Sequence, residues 1–162
     1  VAPLVYLVEA RRREMLETRL IAGFKSRIGS KLAKLLEELG DTIIATEDGA
    51  MGVRGDAVSV AGKLITSSSV VFACGPEPML KKVVDLCTGV GAAVECSLEG
   101  YIKCGIGLCG SCLIEGRGIS VRVCADGPVF SGEVIMKLSD LDKVALDRSG
   151  CKVPLHGGCS SG

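Results

Sequence analysis

The first part of the chain alternates segments of helical periodicity with short apolar runs. Residues 2–16 place apolar side chains on one side of a helix and charged side chains on the other. A short apolar strand at residues 20–22 ends at Gly23, and a second strand covers residues 42–46. Between them, Ser30 is a suitable cap for a helix over residues 31–39. This pattern predicts a helix-strand-helix-strand order.

The middle of the chain continues the alternation. It predicts a short helix at residues 57–61, a strand at 70–73, a helix at 77–87 that begins beside Pro76, and a strand at 92–97. The strand at 70–73 is entirely apolar, which is typical of a central strand that is covered on both faces. Strands that alternate with helices at this spacing predict an α/β fold with a parallel sheet, in which ligands bind at the carboxyl ends of the strands.

A doubly wound nucleotide-binding domain normally begins with a strand and a glycine-rich turn. The chain instead opens at Val1 within a helical pattern, so we expect the first strand of the domain to be missing from this sequence. From residue 98 the pattern changes to glycine and cysteine with little periodicity. We therefore expect a partial nucleotide-binding domain at residues 1–97, a cluster-binding domain at 98–132 and a tail at 133–162, with the last dozen residues mobile.

Composition narrows the classes of function. Of the 162 residues, 48% are hydrophobic, and 19 basic residues balance 19 acidic ones. A zero net charge provides no field to gather nucleic acid or an anionic membrane surface. No apolar stretch approaches the roughly 18 residues that span a bilayer, and no export signal opens the chain, so we expect a cytoplasmic protein. In a reducing compartment, the nine cysteines indicate metal or redox chemistry rather than disulfides.

Four cysteines follow the spacing C-x4-C-x2-C-x11-C: Cys104, Cys109, Cys112 and Cys124. Three ligands on one loop and a distant fourth match the plant-type 2Fe-2S loop. Glycines at 105, 107 and 110 would let the loop turn with positive φ and bring backbone N–H groups close to sulfur. The alternative is a structural zinc site, since four cysteines also suit tetrahedral zinc, although zinc ligands usually come as two C-x2-C pairs.

The remaining cysteines have other interpretations. Cys87 and Cys96 lie in apolar contexts typical of small buried side chains. Three residues of the tail could form a second site: Cys151, His156 and Cys159. Cys74 ends an apolar strand at the ligand edge of the predicted sheet, so the pattern leaves open whether it is structural or lies near a nicotinamide ring.

Residues 74–79, with the sequence Cys-Gly-Pro-Glu-Pro-Met, resemble the C-G-P-x-x-M turn of the ferredoxin-reductase family. Three further segments narrow the resemblance: 97–99, the cysteine loop, and 123–130, which contains Asp-Gly-Pro-Val-Phe. Together they are similar to the electron-transfer subunits of dihydroorotate dehydrogenase B. The resemblance covers nearly the whole chain up to about residue 134.

The resemblance implies an order of domains and a route for electrons. Members of the family carry an FAD-binding barrel, then a pyridine-nucleotide domain, then the cluster, and this chain corresponds to the last two. FAD binding is therefore expected only of the full-length subunit. A catalytic partner with FMN would oxidise dihydroorotate and pass electrons through the cluster and FAD to NAD, in a hetero-oligomer. The same resemblance places Cys74, Gly75, Pro76 and Met79 beside the nicotinamide of NAD or NADP.

Other nucleotide-binding residues are predicted at strand ends. Gly23 and Lys25 follow the first strand, where a Rossmann-type domain meets the adenosine ribose. The basic residues there would tolerate NADP, while the family resemblance favours NAD. Asp48 and Gly49 follow the second strand and would lie at the same ligand edge.

Two other functions share part of this evidence. The same motifs occur in diaphorase subunits of sulfhydrogenases and of NAD(P)-ferredoxin transhydrogenases. A zinc-stabilised, non-enzymatic binding module on a degenerate nucleotide fold is the alternative of another class.

Overall fold

The structure is a computed structural model that describes residues 2–26, 30–138, 144–146 and 152–154. The chain divides into two compact units between Ser69 and Val70. The possible second site at Cys151, His156 and Cys159 lies outside the described residues. Most of the tail that was expected to be mobile also lies outside them, but a described part, Lys152–Pro154, pairs as an antiparallel strand with Val144–Leu146.

The first unit is built around three parallel strands. In chain order it contains α1 (Ala2–Arg13), β1 (Leu20–Phe24), α2 (Ser30–Glu37), β2 (Thr42–Thr46), β3 (Val53–Arg54) and α3 (Ala57–Ala61). The sheet order is β1-β2-β3, and both pairings are parallel. The short strand β3 was predicted as loop, because two exposed residues carry no alternation that a sequence pattern can detect.

Apolar side chains from α1, α2 and the first two strands form the core of this unit: Val8, Leu20, Ala22, Ala33, Leu36 and Ile44. The strand β1 runs to Phe24, whereas the sequence predicted that it ends at Gly23. A Cβ at Gly23 would lie 2.8 Å from the Cβ of Ala57. The absent side chain thus lets α3 pack closely on β1.

The second unit contains the cysteine loop and the turn at residues 74–79. Its elements are β4 (Val70–Cys74), α4 (Glu77–Val90), β5 (Ala93–Ser97), β6 (Leu113–Gly116), β7 (Ile119–Arg122), α5 (Val123–Asp126), β8 (Val129–Ser131) and α6 (Gly132–Lys137), followed by the strand pair β9 (Val144–Leu146) and β10 (Lys152–Pro154). The first residues of the predicted tail, from 133 to 137, belong to α6.

The prediction of parallel strands is confirmed for β1-β2 and β4-β5, but the two pairs belong to two sheets rather than to the single sheet that was predicted. β8 joins β5 in antiparallel orientation, giving the order β4-β5-β8, and β6 pairs with β7 as an antiparallel hairpin. A parallel neighbour requires a crossover, usually a helix. The chain between β5 and β8 instead contains the cysteine loop, the hairpin and one short turn of helix.

The helix α4 supports the turn that follows β4. Its buried residues recur at helical spacing: Leu80, Val83, Val84 and Cys87. It runs to Val90, three residues beyond its predicted end, and stops at Gly91, whose φ of 74° favours glycine. No helix in the described part of the chain is long and apolar enough to cross a membrane.

Candidate metal centre

The four predicted ligands come from three neighbouring segments of the second unit. Cys104 and Cys109 lie on the loop between β5 and β6, Cys112 directly precedes β6, and Cys124 lies in α5 directly after β7. In the hairpin, Leu113 pairs with Arg122, and the N–H of Val123 donates to the carbonyl of Cys112. The hairpin therefore brings the third and fourth cysteines together across eleven intervening residues.

Cys104 and Cys109 form the first pair of thiols. The backbone N–H of Cys109 lies 3.5 Å from Sγ of Cys104, and the two side chains also hydrogen-bond to each other. The N–H of Cys109, followed by that of Ile106, lowers the pKa of Cys104 to about 6. The Cys109 thiol donates to the hydroxyl of Ser111 at 3.4 Å, and the hydrogen bonds with this hydroxyl and with the N–H of Ser111 lower the pKa of Cys109. The loop thus stabilises the thiolate form that binds a metal.

Cys112 and Cys124 form the second pair. The N–H of Cys124 lies 3.5 Å from Sγ of Cys112, which is buried. A hydrogen bond with the Cys112 thiol is the largest cause that raises the pKa of Cys124, while the N–H of Gly107 acts in the opposite direction. A metal ion deprotonates the thiols that coordinate it, so metal binding would overcome the raised pKa of Cys124.

The arrangement of the donors fits an iron-sulfur cluster. Each iron of a 2Fe-2S cluster takes two of four thiolates, and the structure holds the thiols as two pairs that interact electrostatically through Cys104 and Cys124. Gly105, Gly107 and Gly110 have φ values of 70°, 77° and 70°, as predicted for a loop that turns its N–H groups toward sulfur. Among the described residues, no three His, Cys, Asp or Glu side chains gather around a single ion position.

One interaction near the thiols was missed by the sequence analysis. Arg122 forms an ion pair with Asp126 and donates from Nη1 to the carbonyl of Gly107, at 3.3 Å in each case. The i,i+4 spacing of Arg122 and Asp126 around Cys124 was the available signal. It was not distinctive, because opposite charges four residues apart are frequent on any surface helix.

The predicted nucleotide-binding residues of the second unit lie together at the carboxyl end of β4. Cys74 is the last residue of β4, and Pro76 occupies the N-cap of α4. Gly75 has a φ of 151°, and a Cβ there would lie 2.6 Å from Cε of Met79. The Met79 side chain therefore packs over Gly75. The turn itself is present as predicted, and its contact with a nucleotide stays a prediction.

The predicted nucleotide-binding residues of the first unit lie at one end of its sheet. Phe24 and Thr46 are in register, so Lys25 and the loop after β2 emerge at the same edge. Asp48 Oδ1 accepts from the N–H of Ala50 at 2.9 Å, and Gly49 has a φ of 73°. Gly23 lies inside β1 rather than after it.

Thr46 was missed by the sequence analysis. It is fully buried, and its hydroxyl donates to the carbonyl of Met51 at 2.6 Å while accepting from the N–H of the same residue. Its backbone carbonyl accepts from the N–H groups of Gly49 and Gly55. Thr46 thereby fixes the loop that carries Asp48.

Cys87 and Cys96 are fully buried, which confirms their structural interpretation. Burial raises the pKa of Cys87, and burial followed by the neighbouring Cys87 raises that of Cys96 to about 12. Neither thiol is suited to act as a ligand or nucleophile.

The sequence of the chain is similar to that of known proteins. Residues 99–136 match the iron-sulfur cluster binding domain of dihydroorotate dehydrogenase B. A protein of Methanocella arvoryzae, named a probable dihydroorotate dehydrogenase B (NAD(+)), electron transfer subunit, is 36% identical over 154 residues, which cover 92% of this chain and 58% of the relative. The chain belongs to this family of electron-transfer subunits. A second member, named likewise, from Methanocaldococcus jannaschii, is 32% identical over 94% of this chain and 59% of its own length.

The chain thus spans somewhat more than half the length of these relatives. A dihydroorotate dehydrogenase B electron transfer subunit from Caldanaerobacter subterraneus is 36% identical over 84% of this chain. Among solved structures, an NADH-dependent reduced ferredoxin-NADP oxidoreductase has a TM-score of 0.52 and 21% identity, covering 82% of this chain and 58% of that one. This last similarity concerns the fold.

Proposed function

We propose that this chain is the nucleotide-binding and cluster-binding part of the electron-transfer subunit of a dihydroorotate dehydrogenase B, a cytoplasmic oxidoreductase of pyrimidine biosynthesis. The observation that carries the proposal is the pairing of four thiols within the segment that matches the iron-sulfur domain. Residues 1–97 would serve the nucleotide, residues 98–132 the cluster, and 133–162 would form the tail.

In this proposal Cys104 and Cys109 would hold one iron, and Cys112 and Cys124 would hold the other. When bound, a 2Fe-2S cluster accepts and releases single electrons, which suits a route between the FMN of a catalytic subunit and the FAD of the full-length subunit, with NAD as the two-electron partner. The chain itself orients the ligands. Backbone N–H groups of the loop donate to the Cys104 and Cys124 thiols and stabilise negative charge on sulfur.

Metal analysis of the full-length subunit, purified with its partner, tests the cluster. We expect about two irons and two acid-labile sulfides per chain, with the visible absorption of a 2Fe-2S cluster. Cys104→Ser and Cys124→Ser should lose the iron, because each removes one thiolate of a pair. Cys74→Ser is the matched control and should keep it. A colourless protein that contains one zinc would contradict the proposal.

We propose NAD as the nucleotide. The names of the relatives specify NAD(+), and this carries over here as part of the proposal. Lys25 is exposed directly after β1, where a base could also meet the 2′-phosphate of NADP. Steady-state reduction of the full-length subunit by NADH and by NADPH decides between them, and a preference for NADPH that Lys25→Gln abolishes would reverse the assignment.

The cysteine loop also supports docking of the FMN-containing catalytic subunit. Large apolar side chains on it are exposed: Ile102 at 53%, Ile106 at 69% and Leu108 at 82%. Exposed apolar side chains close together in sequence are typical of an interaction site. Leu108→Glu should therefore weaken copurification with a dihydroorotate-oxidising subunit, while Leu35→Glu, which changes an exposed leucine of α2, should not.

The same copurification tests the alternative of a diaphorase subunit. Recovery of the full-length subunit with a hydrogenase or another non-dihydroorotate partner alone would favour that alternative. Recovery with a subunit that oxidises dihydroorotate would favour the proposal above.

A further inference from the structure

The thiol pairs lie on separate segments, so something must fix the loop of the first pair against the helix of the second. The contacts of Arg122 do this in the structure. Its Nη1 donates to the carbonyl of Gly107 at 3.3 Å, and its Nε contacts Oδ2 of Asp126 at 3.3 Å. The N–H of Arg122 donates to the same oxygen at 2.7 Å. The arginine therefore joins the loop residue Gly107 to both ends of the α5 turn.

Gly107 is the loop residue that reaches Cys124. Its N–H hydrogen-bonds to the Cys124 thiol, and its carbonyl accepts from Arg122. A Cβ at Gly107 would lie 3.0 Å from the Cβ of Ala125, so this part of the loop packs directly on α5. By fixing the carbonyl of Gly107, Arg122 thus also fixes the N–H of Gly107, which donates to the Cys124 thiol.

The ion pair is not placed to contribute much to folding. The side chains of Arg122 and Asp126 are 48% and 37% exposed, and exposed pairs contribute little to stability. The potential of an iron-sulfur cluster, in contrast, responds to hydrogen bonds on its sulfurs and to nearby charge. Two opposite charges, Arg122 and Asp126, lie two residues before and two residues after Cys124.

We propose that Arg122 is a positioning residue of the iron-sulfur centre, which acts through Gly107 on Cys124, and that Arg122 and Asp126 set the reduction potential with opposite signs. The proposal rests on the cluster assignment above. Reduction adds negative charge to the centre, so a cation nearby favours the reduced form and an anion disfavours it. Removing the arginine should lower the potential, and removing the carboxylate charge should raise it.

Redox titration of the full-length subunit, followed by electron paramagnetic resonance, tests this. Arg122→Met should shift the midpoint potential down and alter the g-values of the reduced cluster, because it removes both the charge and the tether. Asp126→Asn keeps a hydrogen-bond acceptor and should shift the potential up. Arg122→Lys keeps the charge but cannot contact Asp126 and Gly107 through two separate nitrogens. Its midpoint potential should therefore lie nearer that of the wild type than the potential of Arg122→Met does.

Arg117→Met is the matched control. Arg117 lies in the turn of the same hairpin, beyond Ile119, and the strand from Arg122 to Ile119 already covers about 10 Å at 3.3 Å per residue. The substitution Arg117→Met removes the same charge from the same hairpin, and it should leave the midpoint potential and the g-values unchanged. If Arg122→Met does not load iron while Arg117→Met does, the tether is required for assembly, and Asp126→Asn still tests the sign of the charge effect.

Two results would overturn the proposal and are distinguishable from each other. Wild-type potential and g-values in Arg122→Met and Asp126→Asn, at full iron content, would reject the role of Arg122 and leave the cluster assignment intact. Zinc in place of iron in the wild-type subunit would reject both together.

Discussion

At the scale of single residues, the seven cysteines in the described part of the chain differ in their local hydrogen bonds and burial. N–H groups lower the pKa of Cys104 to about 6, whereas burial and Cys87 raise that of Cys96 to about 12. The sequence separated ligand from structural cysteines by spacing and apolar context. The sequence could not predict which ligand cysteine has the lower pKa, because this depends on which N–H groups the loop turns toward each sulfur.

These differences predict the pH dependence of alkylation in metal-free protein. The thiolate is the nucleophile, and its fraction grows as the pH rises through the pKa. Cys104 should therefore react with iodoacetamide from about pH 6 upward, and Cys124, whose pKa is raised, only at more alkaline pH. Mass spectrometry of the labelled peptides measures both. Cys96 is the control and should remain unmodified until unfolding. Equal midpoints for Cys104 and Cys124 would contradict the structure.

Alanine substitutions at two glycines distinguish the cost of backbone strain from the cost of a close side-chain contact. Gly107 and Gly118 have φ values of 77° and 70°, but only Gly107 has a neighbour, Ala125, near the position of an added Cβ. Gly118→Ala should lower the free energy of unfolding by about 1–2 kcal/mol from left-handed strain alone. Gly107→Ala should cost more and should also reduce iron retention. Urea unfolding and iron analysis measure both, and equal losses would show that the contact with Ala125 is unimportant.

At the scale of elements, the sequence predicted most helices and strands but not every partner. Short runs rich in apolar residues located β1, β2, β4 and β5. The prediction that residues 70–73 form a central strand covered on both faces is wrong, because β4 lies at the edge of the sheet β4-β5-β8 and Val70 is 59% exposed. The hairpin β6–β7 and the strand β8 were missed. Each has only three or four residues, with glycine or cysteine close by, and their pairing depends on contacts distant in sequence.

The N-cap of α3 gives a prediction at this scale. Asp56 accepts a hydrogen bond from the N–H of Ser59 at 2.9 Å, and this bond is the largest cause that lowers the pKa of Asp56. Asp56→Ala should destabilise the first unit by about 1 kcal/mol in thermal or urea unfolding. Asp56→Asn, which keeps an acceptor, should lose much less.

The same cap should weaken in acid. A carboxylate with a lowered folded-state pKa stabilises the protein above its unfolded pKa, near 4, and this contribution is lost as the pH falls through the folded value. The stability difference between wild type and Asp56→Ala should therefore shrink below pH 4. A difference that stays constant down to pH 2 would contradict this assignment.

At the scale of the whole molecule, the residues predicted to bind the cluster and those predicted to bind the nucleotide are only partly divided between the two units. The thiol pairs lie in the second unit, whereas the predicted nucleotide-binding residues occur in both units. The sequence indicated a boundary at residue 98 because composition changes there. The division at Ser69 could not be predicted, since it depends on which strands hydrogen-bond to one another.

Removal of the cluster should therefore affect the two units differently. In the cysteine loop, backbone N–H groups of Ile106, Gly107 and Leu108 hydrogen-bond to sulfur. Metal binding and folding are coupled at such sites. Hydrogen exchange of the full-length subunit should become faster at residues 100–126 after the cluster is removed, while β1 and β2 stay protected. Uniform acceleration over both units would contradict this expectation.

The hairpin β6–β7 also has a consequence for the evolution of the ligand motif. Because Leu113 pairs with Arg122, Cys112 and Cys124 meet at its open end, and the turn near Gly118 lies at the other end. Two residues added to or deleted from the turn would change the sequence gap but leave both thiols in place. The gap of eleven therefore reflects the length of a hairpin, and genome searches for this motif should let the gap vary.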